Sequence, residues 1–296
     1  RRGVVPEWLA ELGVEVPEEI VESGLMYVSR WYRDPGHEIP LDAKLGGDLG
    51  FVKFLGVPGD GGTLSVTLAI RTDDKELRTA LADPDRFDQA CQLLPGPDFF
   101  WQDGPLEPMT DVLLMSGLLN RLRHFSDGGT PCVLGFHAIG DAHTTTNPLY
   151  GRGCSLAAAQ AVLLRDAITA HPGDHRARAE RFDADSDREI EPWFHASVQM
   201  DKMGADPMGS GLGGAESSSG KAMAAVFVAA QTDPVLGRTF ARLWNLLMTP
   251  AELMTDTAFL AKAAEVAANP DAYPLPERVG PKRGELLEAL GSLDAA

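Results

Sequence analysis

Cysteine is scarce in this 296-residue chain. Cys91, Cys132 and Cys154 are widely spaced and form no C-x-x-C pair, which argues against a zinc ribbon or a dithiol redox pair and leads us to expect a reducing, cytoplasmic setting. Basic residues are also few. There are 26 Lys and Arg against 43 Asp and Glu, a formal charge of −17. Nucleic acid needs a basic footprint, so it is not an expected partner, and docking on an anionic membrane is disfavoured; the acidity reads as a solubility feature. No run of about 18 apolar residues occurs, so no membrane span is expected. No internal repeat is present.

What remains is ordinary for a globular protein. The apolar fraction of 44% supplies an ample core, and the length fits one large or two medium domains. Residues 1–24 read as a short helical connector punctuated by Pro6 and Pro17. Leu25–Arg33 is aromatic and β-prone, and Gly50–Val57 reads as a second strand. Across Pro58–Gly62 the chain turns. Thr63–Arg71 then alternates, with Leu64, Val66, Leu68 and Ile70 on one face, the pattern of a half-buried antiparallel strand. Helices are expected over Asp74–Ala82 and from Asp85 to about Leu94, with Asp83-Pro84 opening the second. Thr110–Leu118 reads as another strand running into Leu119–Phe125, followed by a Ser126–Gly129 turn. The helical pattern from Asp174 to the end breaks at a Gly/Ser-rich loop over 205–220, and Asp233-Pro234 and the Thr249–Glu252 capping box open later helices. The fold class is therefore α+β. Segment 25–125 is an antiparallel sheet domain, 126–173 a strand–loop–helix unit and 174–296 a helical region.

The strand–loop–helix unit carries the chemistry. An apolar run, Cys132–Phe136, leads to Gly140-Asp141-Ala142, five further residues, Pro148, and then Gly151-Arg152-Gly153. An Ala/Leu-rich helix follows, with Ala157, Ala161, Leu164 and Ile168 on one face, ending at His171-Pro172-Gly173. The carboxylate of Asp141 can accept hydrogen bonds from a polyol. The glycines let backbone approach a ring closely, and the helix start offers free N–H groups and partial positive charge to an anion.

This pattern resembles the second flavin-binding motif of FAD-dependent monooxygenases and oxidoreductases with the p-hydroxybenzoate hydroxylase-type fold. The resemblance implies FAD as cofactor. It assigns Asp141, with Gly140 and Ala142, to the ribityl chain, and Pro148, Gly151, Arg152 and Gly153 to the turn against the flavin ring. No side-chain nucleophile is required; reduced flavin would form a C4a-(hydro)peroxide that must be kept dry, and helix-end N–H groups would stabilise the anionic ring. The implied activity is a monooxygenase, a hydroxylase or epoxidase acting on a small apolar organic substrate, with NAD(P)H or a partner reductase as electron donor. The 25–125 sheet would then be the substrate-binding domain over the flavin. Isoprenoid reduction of the geranylgeranyl reductase type is an alternative within the family. A non-enzymatic apolar-ligand-binding module is the alternative outside it. Halogenation ranks lower, because the five tryptophans show no W-x-W-x-I-P. Arg1–Leu9 looks like the residues that follow a D-A-T-G-R type motif, and no G-x-G-x-x-G strand–turn–helix stands near it. The expectation is that the chain is the C-terminal part of a longer flavoprotein.

Other signals read as structural. Gly209–Gly214 satisfies G-x-G-x-x-G but follows a polar helix, so it reads as a loop, and Ser219–Ala222 lacks phosphate-loop spacing. His137 and His143, six apart, make no metal site. Cys154, at a helix start, reads as a small residue fitting a tight turn rather than a reactive thiol. Met200, Met203 and Met208 read as packing residues. Arg121 and Arg123 share a strand face; they could enter one cavity, with surface placement as the default.

Overall fold

The computed structural model describes residues 5–34, 36–204, 218–274 and 278–291. In chain order its elements are α1 (Val5–Glu11), β1 (Glu18–Glu22), β2 (Leu25–Arg33), β3 (Gly46–Asp48), β4 (Val52–Gly59), β5 (Thr63–Arg71), α2 (Lys75–Leu81), α3 (Pro84–Leu93), β6 (Glu107–Pro108), β7 (Leu113–Met115), β8 (Leu119–Arg123), β9 (Ser126–Asp127), β10 (Thr130–Pro131) and β11 (Thr144–Thr145). Helices follow: α4 (Gly153–Ala170), α5 (His175–Glu189), α6 (Glu191–Gly204), α7 (Ser218–Ala229), α8 (Pro234–Trp244), α9 (Pro250–Leu253), α10 (Thr257–Ala267) and α11 (Arg283–Gly291). The architecture is α+β. None of the described helices is long and apolar enough to cross a membrane. The chain falls into two compact units, one of 1–23, 119–203 and 215–274, the other of 24–118, 204–214 and 275–296.

The second of these units is built on an antiparallel sheet in the order β3-β4-β5-β2-β6, with β7 also on β2. β2 and β5 pair along their whole lengths, Leu25 opposite Arg71 through Arg33 opposite Thr63. The period of two sends Leu64, Val66, Leu68 and Ile70 inward, where all four are fully buried with Met26, Val28 and Tyr32. Leu77, Leu81, Phe87 and Ala90 of α2 and α3 cover this face. Each helix starts where an Asp side chain accepts from its first-turn N–H groups, Asp74 from Leu77 and Asp83 from Asp85 and Arg86, a cap of about 1 kcal/mol. One polar knot crosses the apolar layer: Asp88 of α3 accepts from Tyr32 Oη at 2.5 Å and Arg30 Nη1 at 2.9 Å. α11 returns to the same core through Leu286 and Leu290, and Arg283 pairs with Asp74 and Glu76.

The other unit holds a small sheet, β1-β8-β11, and the remaining helices. Four expectations change. The segment 1–24 contains a strand as well as a helix: β1 pairs antiparallel with β8, Glu18 opposite Arg123. The expected 110–118 strand is reduced to β7, because Gly117 takes φ +68 and turns the chain before β8. The apolar run Cys132–Phe136 is not a strand. Gly135 lies at φ +84, and Val133 and Phe136 instead pack irregularly around Leu9, Phe125 and Ala138. The long helix expected from Asp174 is two helices, broken at Ile190. Pro192 lacks an N–H and its ring would collide with the Arg188 carbonyl of a continuous helix. The Thr249–Glu252 capping box forms as the spacing implies.

Candidate functional site

The Gly140–Gly153 loop is held by buried polar groups on the inner side and exposes its motif residues on the outer side. Gly140 takes φ +59, and its N–H donates to Gln160 Oε1 of α4 at 2.8 Å. An added Cβ there would stand 3.1 Å from Ala157 Cβ, so glycine is needed for conformation and for closeness to the helix. Residues 140–142 make one 3₁₀ turn. Arg123 then reaches the loop twice: its backbone N–H donates to the His143 carbonyl at 3.0 Å and its Nη1 to the Ala142 carbonyl at 2.9 Å. β11 continues the attachment by pairing Thr144 and Thr145 with Leu122 and Arg121.

Beyond β11 the loop is pinned by Asn147, which is fully buried. Its N–H donates to Asn120 Oδ1 at 2.9 Å, and its Oδ1 accepts from Leu149 N at 3.1 Å, capping the 148–150 turn. Asp201 of α6 accepts from Asn120 Nδ2, Asn147 Nδ2 and Tyr150 Oη at 2.6, 2.8 and 2.7 Å. Gly151, at φ +64, closes the turn with its N–H on the Pro148 carbonyl.

Arg152 is 5% exposed and packs among three aromatic rings, with its guanidinium carbon 4.9 Å from the Trp193 centroid, 5.3 Å from Trp244 and 5.6 Å from Tyr150. Its Nη1 meets Met200 Sδ at 3.8 Å, and its Nε is buried without a hydrogen-bond partner. Burial lowers its pKa. The rings offer this cation a quadrupole in place of a carboxylate.

On the outer side, Asp141, Pro148, Gly151, Gly153, Cys154 and Ser155 are exposed, with Gly140 and Ala142 half-buried. α4 is 18 residues long, and its N-cap residue, Arg152, makes no side-chain capping bond. By contrast α2, α3, α5, α8 and α10 each have an Asp cap. The first-turn N–H groups of α4 thus have no side-chain cap, and the Asp141 side chain on the 140–142 turn is exposed. The surface suits a ligand with hydroxyl groups near Asp141 and negative charge at the helix start.

The remaining candidates resolve as follows. Arg121 and Arg123 do share a face, and what they meet there is Glu18 of β1: Arg123 Nε lies 2.5 Å from Glu18 Oε1 and Arg121 Nε 3.7 Å from Oε2. Surface placement fails for Arg123, whose side chain is 1% exposed. His137 is half-buried against Phe182. His143 is buried, stacked on Phe125 and bonded through Nδ1 to Thr144 Oγ1. Among the described residues no group of three or more His, Cys, Asp or Glu could hold a metal ion. Met200 touches Arg152. The Gly209–Gly214 glycines and Met208 lie outside the described residues. The sequence did not point to Asn120, Asn147, Tyr150 or Asp201. The one available signal was the pair of asparagines, which spacing does not join to an acid 54 residues past the second of them.

Two buried groups here give a pH prediction. Burial, reinforced by His124 and Arg123, pushes His143 down to about 4 from 6.5, whereas burial with Asp187 nearby pushes Asp183 up to about 6 from 3.8. The unfolded chain protonates His143 first as pH falls from 6.5 to 4, so this histidine removes stability in that window. The folded chain holds the Asp183 proton longer, so Asp183 removes stability as pH rises from about 4 to 6. The two slopes oppose each other. Asp183→Asn is expected to leave stability unchanged below pH 4 and raise it by about 2 kcal/mol above pH 6. Urea midpoints for both proteins from pH 4 to 7 test this; parallel curves would refute it.

No family model matches the chain, and no curated protein matches it. Among solved structures, the flavin-dependent brominase Bmp2 is similar at a TM-score of 0.50 and 16% identity, over 90% of this chain. The chain spans 61% of the length of that protein. The tetracycline destructases Tet(55) and Tet(51) match at TM-scores of 0.38 and 0.37, with 14% and 9% identity. They cover 64% and 88% of this chain, and it covers 47% and 57% of theirs. At these scores the destructases add no argument. The brominase likeness shows a fold of the kind found in a flavin-dependent enzyme.

Proposed function

We propose that this chain is the flavin-holding portion of an FAD-dependent oxidoreductase, a monooxygenase of the hydroxylase or epoxidase kind acting on a small apolar organic substrate. The observation that carries this reading is the outer side of the Gly140–Gly153 loop: an exposed carboxylate, two open glycines and an uncapped helix start, all fixed from behind. The residues fit the cofactor. Asp141 would accept hydrogen bonds from the ribityl hydroxyls, with Gly140 and Ala142 shaping the turn around it. Pro148, Gly151 and Gly153 would lie against the ring system, and the α4 N–H groups would face its anionic end. Flavin, when bound, supplies the oxygen and electron chemistry; the chain's own contribution is to bind, orient and stabilise negative charge. In this reading 126–173 is the second FAD-binding segment and 25–125 the substrate-binding part. Electrons come from NAD(P)H or a partner reductase, and the protein works in the cytoplasm, where three unpaired thiols persist.

Gly153 separates this reading from a purely structural one. Its φ is not in the left-handed region, and an added Cβ would meet nothing within 4 Å. Gly173 and Gly284 are equally open, so openness alone decides nothing; position does, since Gly153 sits between exposed Gly151 and the uncapped turn. Alanine suits a helix better than glycine by up to about 1 kcal/mol. Gly153→Ala is therefore expected to keep or raise the melting temperature. It would weaken FAD binding by about tenfold, a 1.4 kcal/mol penalty for the added methyl against the ring. The test is an FAD titration, by flavin fluorescence and visible absorption, on protein from the longest reading frame containing this sequence. Equal FAD affinity in both proteins, or no flavin binding by the unsubstituted protein, overturns the proposal.

A further inference from the structure

Asp201 occupies a position that its hydrogen bonds define closely. Asn120 must present its carbonyl oxygen to the Asn147 N–H, so its Nδ2 is left to donate to Asp201. Asn147 must present its own Oδ1 to the Leu149 N–H, so its Nδ2 also donates to Asp201. The Tyr150 hydroxyl adds a third donor. Backbone geometry thus fixes the orientation of both amides, and the group between them has to accept through both oxygens, which a carboxylate does and an amide does not. Asn120, Asn147 and Asp201 are 0, 0 and 4% exposed, so water does not readily replace a lost partner. The three donors come from β8 and from both ends of the Asn147–Tyr150 stretch, whereas the acceptor comes from α6. The exposed residues Pro148 and Gly151 lie on the turn that these bonds hold.

We infer that Asp201 is a positioning residue: from α6 it sets the shape of the Pro148–Gly151 edge and, resting on the reading above, the fit of the flavin ring against it. It touches no reacting atom and acts through Asn147 and Tyr150. Substitution by asparagine sets an NH₂ group against a donor whose orientation is already fixed. The turn then has to relax, while α6 and β8 retain their apolar packing through Leu122, Phe194 and Val198.

The test compares Asp201→Asn and Tyr150→Phe with the unsubstituted protein by amide hydrogen exchange, thermal melting and FAD titration. Asp201→Asn is expected to speed exchange in the peptide spanning 144–152 about tenfold, the ratio that a 1.4 kcal/mol opening difference produces. Exchange in β8 and the body of α4 stays as it was. FAD affinity falls about tenfold alongside. Tyr150→Phe, which removes one of three donors and keeps the ring, gives a smaller change of the same local kind and serves if the first variant does not fold. Uniformly faster exchange with a matching fall in melting temperature would mean that Asp201 is structural only and would overturn the inference, as would unchanged exchange in both variants. Local exchange changes in a protein that binds no FAD would uphold the positioning role and remove the flavin reading.

Discussion

Replacing Asp141 by alanine is expected to cost the protein about 100-fold in flavin affinity while moving its melting temperature by no more than about 2 °C. The affinity figure follows from two hydrogen bonds between a carboxylate and ribityl hydroxyls, each contributing about 1.5 kcal/mol or more. The stability figure follows from position. The Asp141 side chain is exposed, and alanine retains the main-chain bonds of the turn around it. The Asp141 carbonyl accepts from Thr145 Oγ1 at 3.2 Å, and the Gly140 carbonyl accepts from His143 N at 2.9 Å. Exposed substitutions that leave such bonds intact stay within about 0.5 kcal/mol. Flavin content after purification, read from the visible spectrum, with a melting curve on the same sample, checks both halves. An Asp141→Ala protein as yellow as the parent removes Asp141 from the ribityl role. A colourless protein that has also lost its melting transition says only that the turn needs the carboxylate, and Asp141→Asn then separates charge from shape.

How far the fold could be read from sequence depended on whether the signal was local. β2 and β5 run from Leu25 to Arg33 and from Thr63 to Arg71, the spans that their composition and alternation imply. In each, every second side chain enters one apolar layer, so period and burial agree. The helix openings at Asp83, Asp233 and Thr249 were equally plain, because a capping side chain and the N–H it satisfies lie within three residues. β1 was not legible. Glu18-Glu19-Ile20-Val21-Glu22 is too acidic to read as a strand by itself, and it becomes one because Arg121 and Arg123 stand opposite it on β8. The Cys132–Phe136 run failed in the other direction. Apolar residues without a partner strand pack as an irregular cluster, and hydrophobicity alone does not distinguish the two outcomes. α11 illustrates the same limit at longer range, since its return to the sheet core rests on Leu286, Leu290 and the Arg283–Asp74 pair, some 200 residues apart in sequence.

The site divides along the same line. Its outer residues, Asp141, Pro148, Gly151 and Gly153, form a motif with fixed spacing and were legible as such. Its inner supports, Asn120, Arg123, Gln160 and Asp201, come from β8, α4 and α6, and only tertiary structure brings them to the loop. Arg152 belongs to both groups: the motif includes it, but its aromatic surroundings depend on Trp193 and Trp244, 41 and 92 residues downstream by their numbers.

Arg123→Met is expected to destabilise this unit by about 3–4 kcal/mol, because it strands two partners together. Glu18, at 21% side-chain exposure, would be left with Arg121 at 3.7 Å. The Ala142 carbonyl would lose the donor that holds the Gly140–Ala142 turn against β8. The β8 backbone bonds survive, including Arg123 N to the His143 carbonyl, so the loss concerns charge and turn geometry more than strand pairing. Methionine fills most of the vacated volume, which keeps a cavity term out of the comparison. Glu18→Gln leaves a neutral acceptor for Arg123 and should cost less than the arginine change. In the double variant Glu18→Leu with Arg123→Met the stranded charge is gone, and stability should return to within about 1–2 kcal/mol of the parent, as buried ion pairs replaced as a unit by apolar residues do. The measurement is a denaturant titration of the three variants, with exchange in the β1 and β8 peptides assigning the transition to this unit rather than the other. An Arg123→Met midpoint equal to that of the parent, or a double variant no better than the single, would show that the β1–β8–loop junction does not depend on this pair.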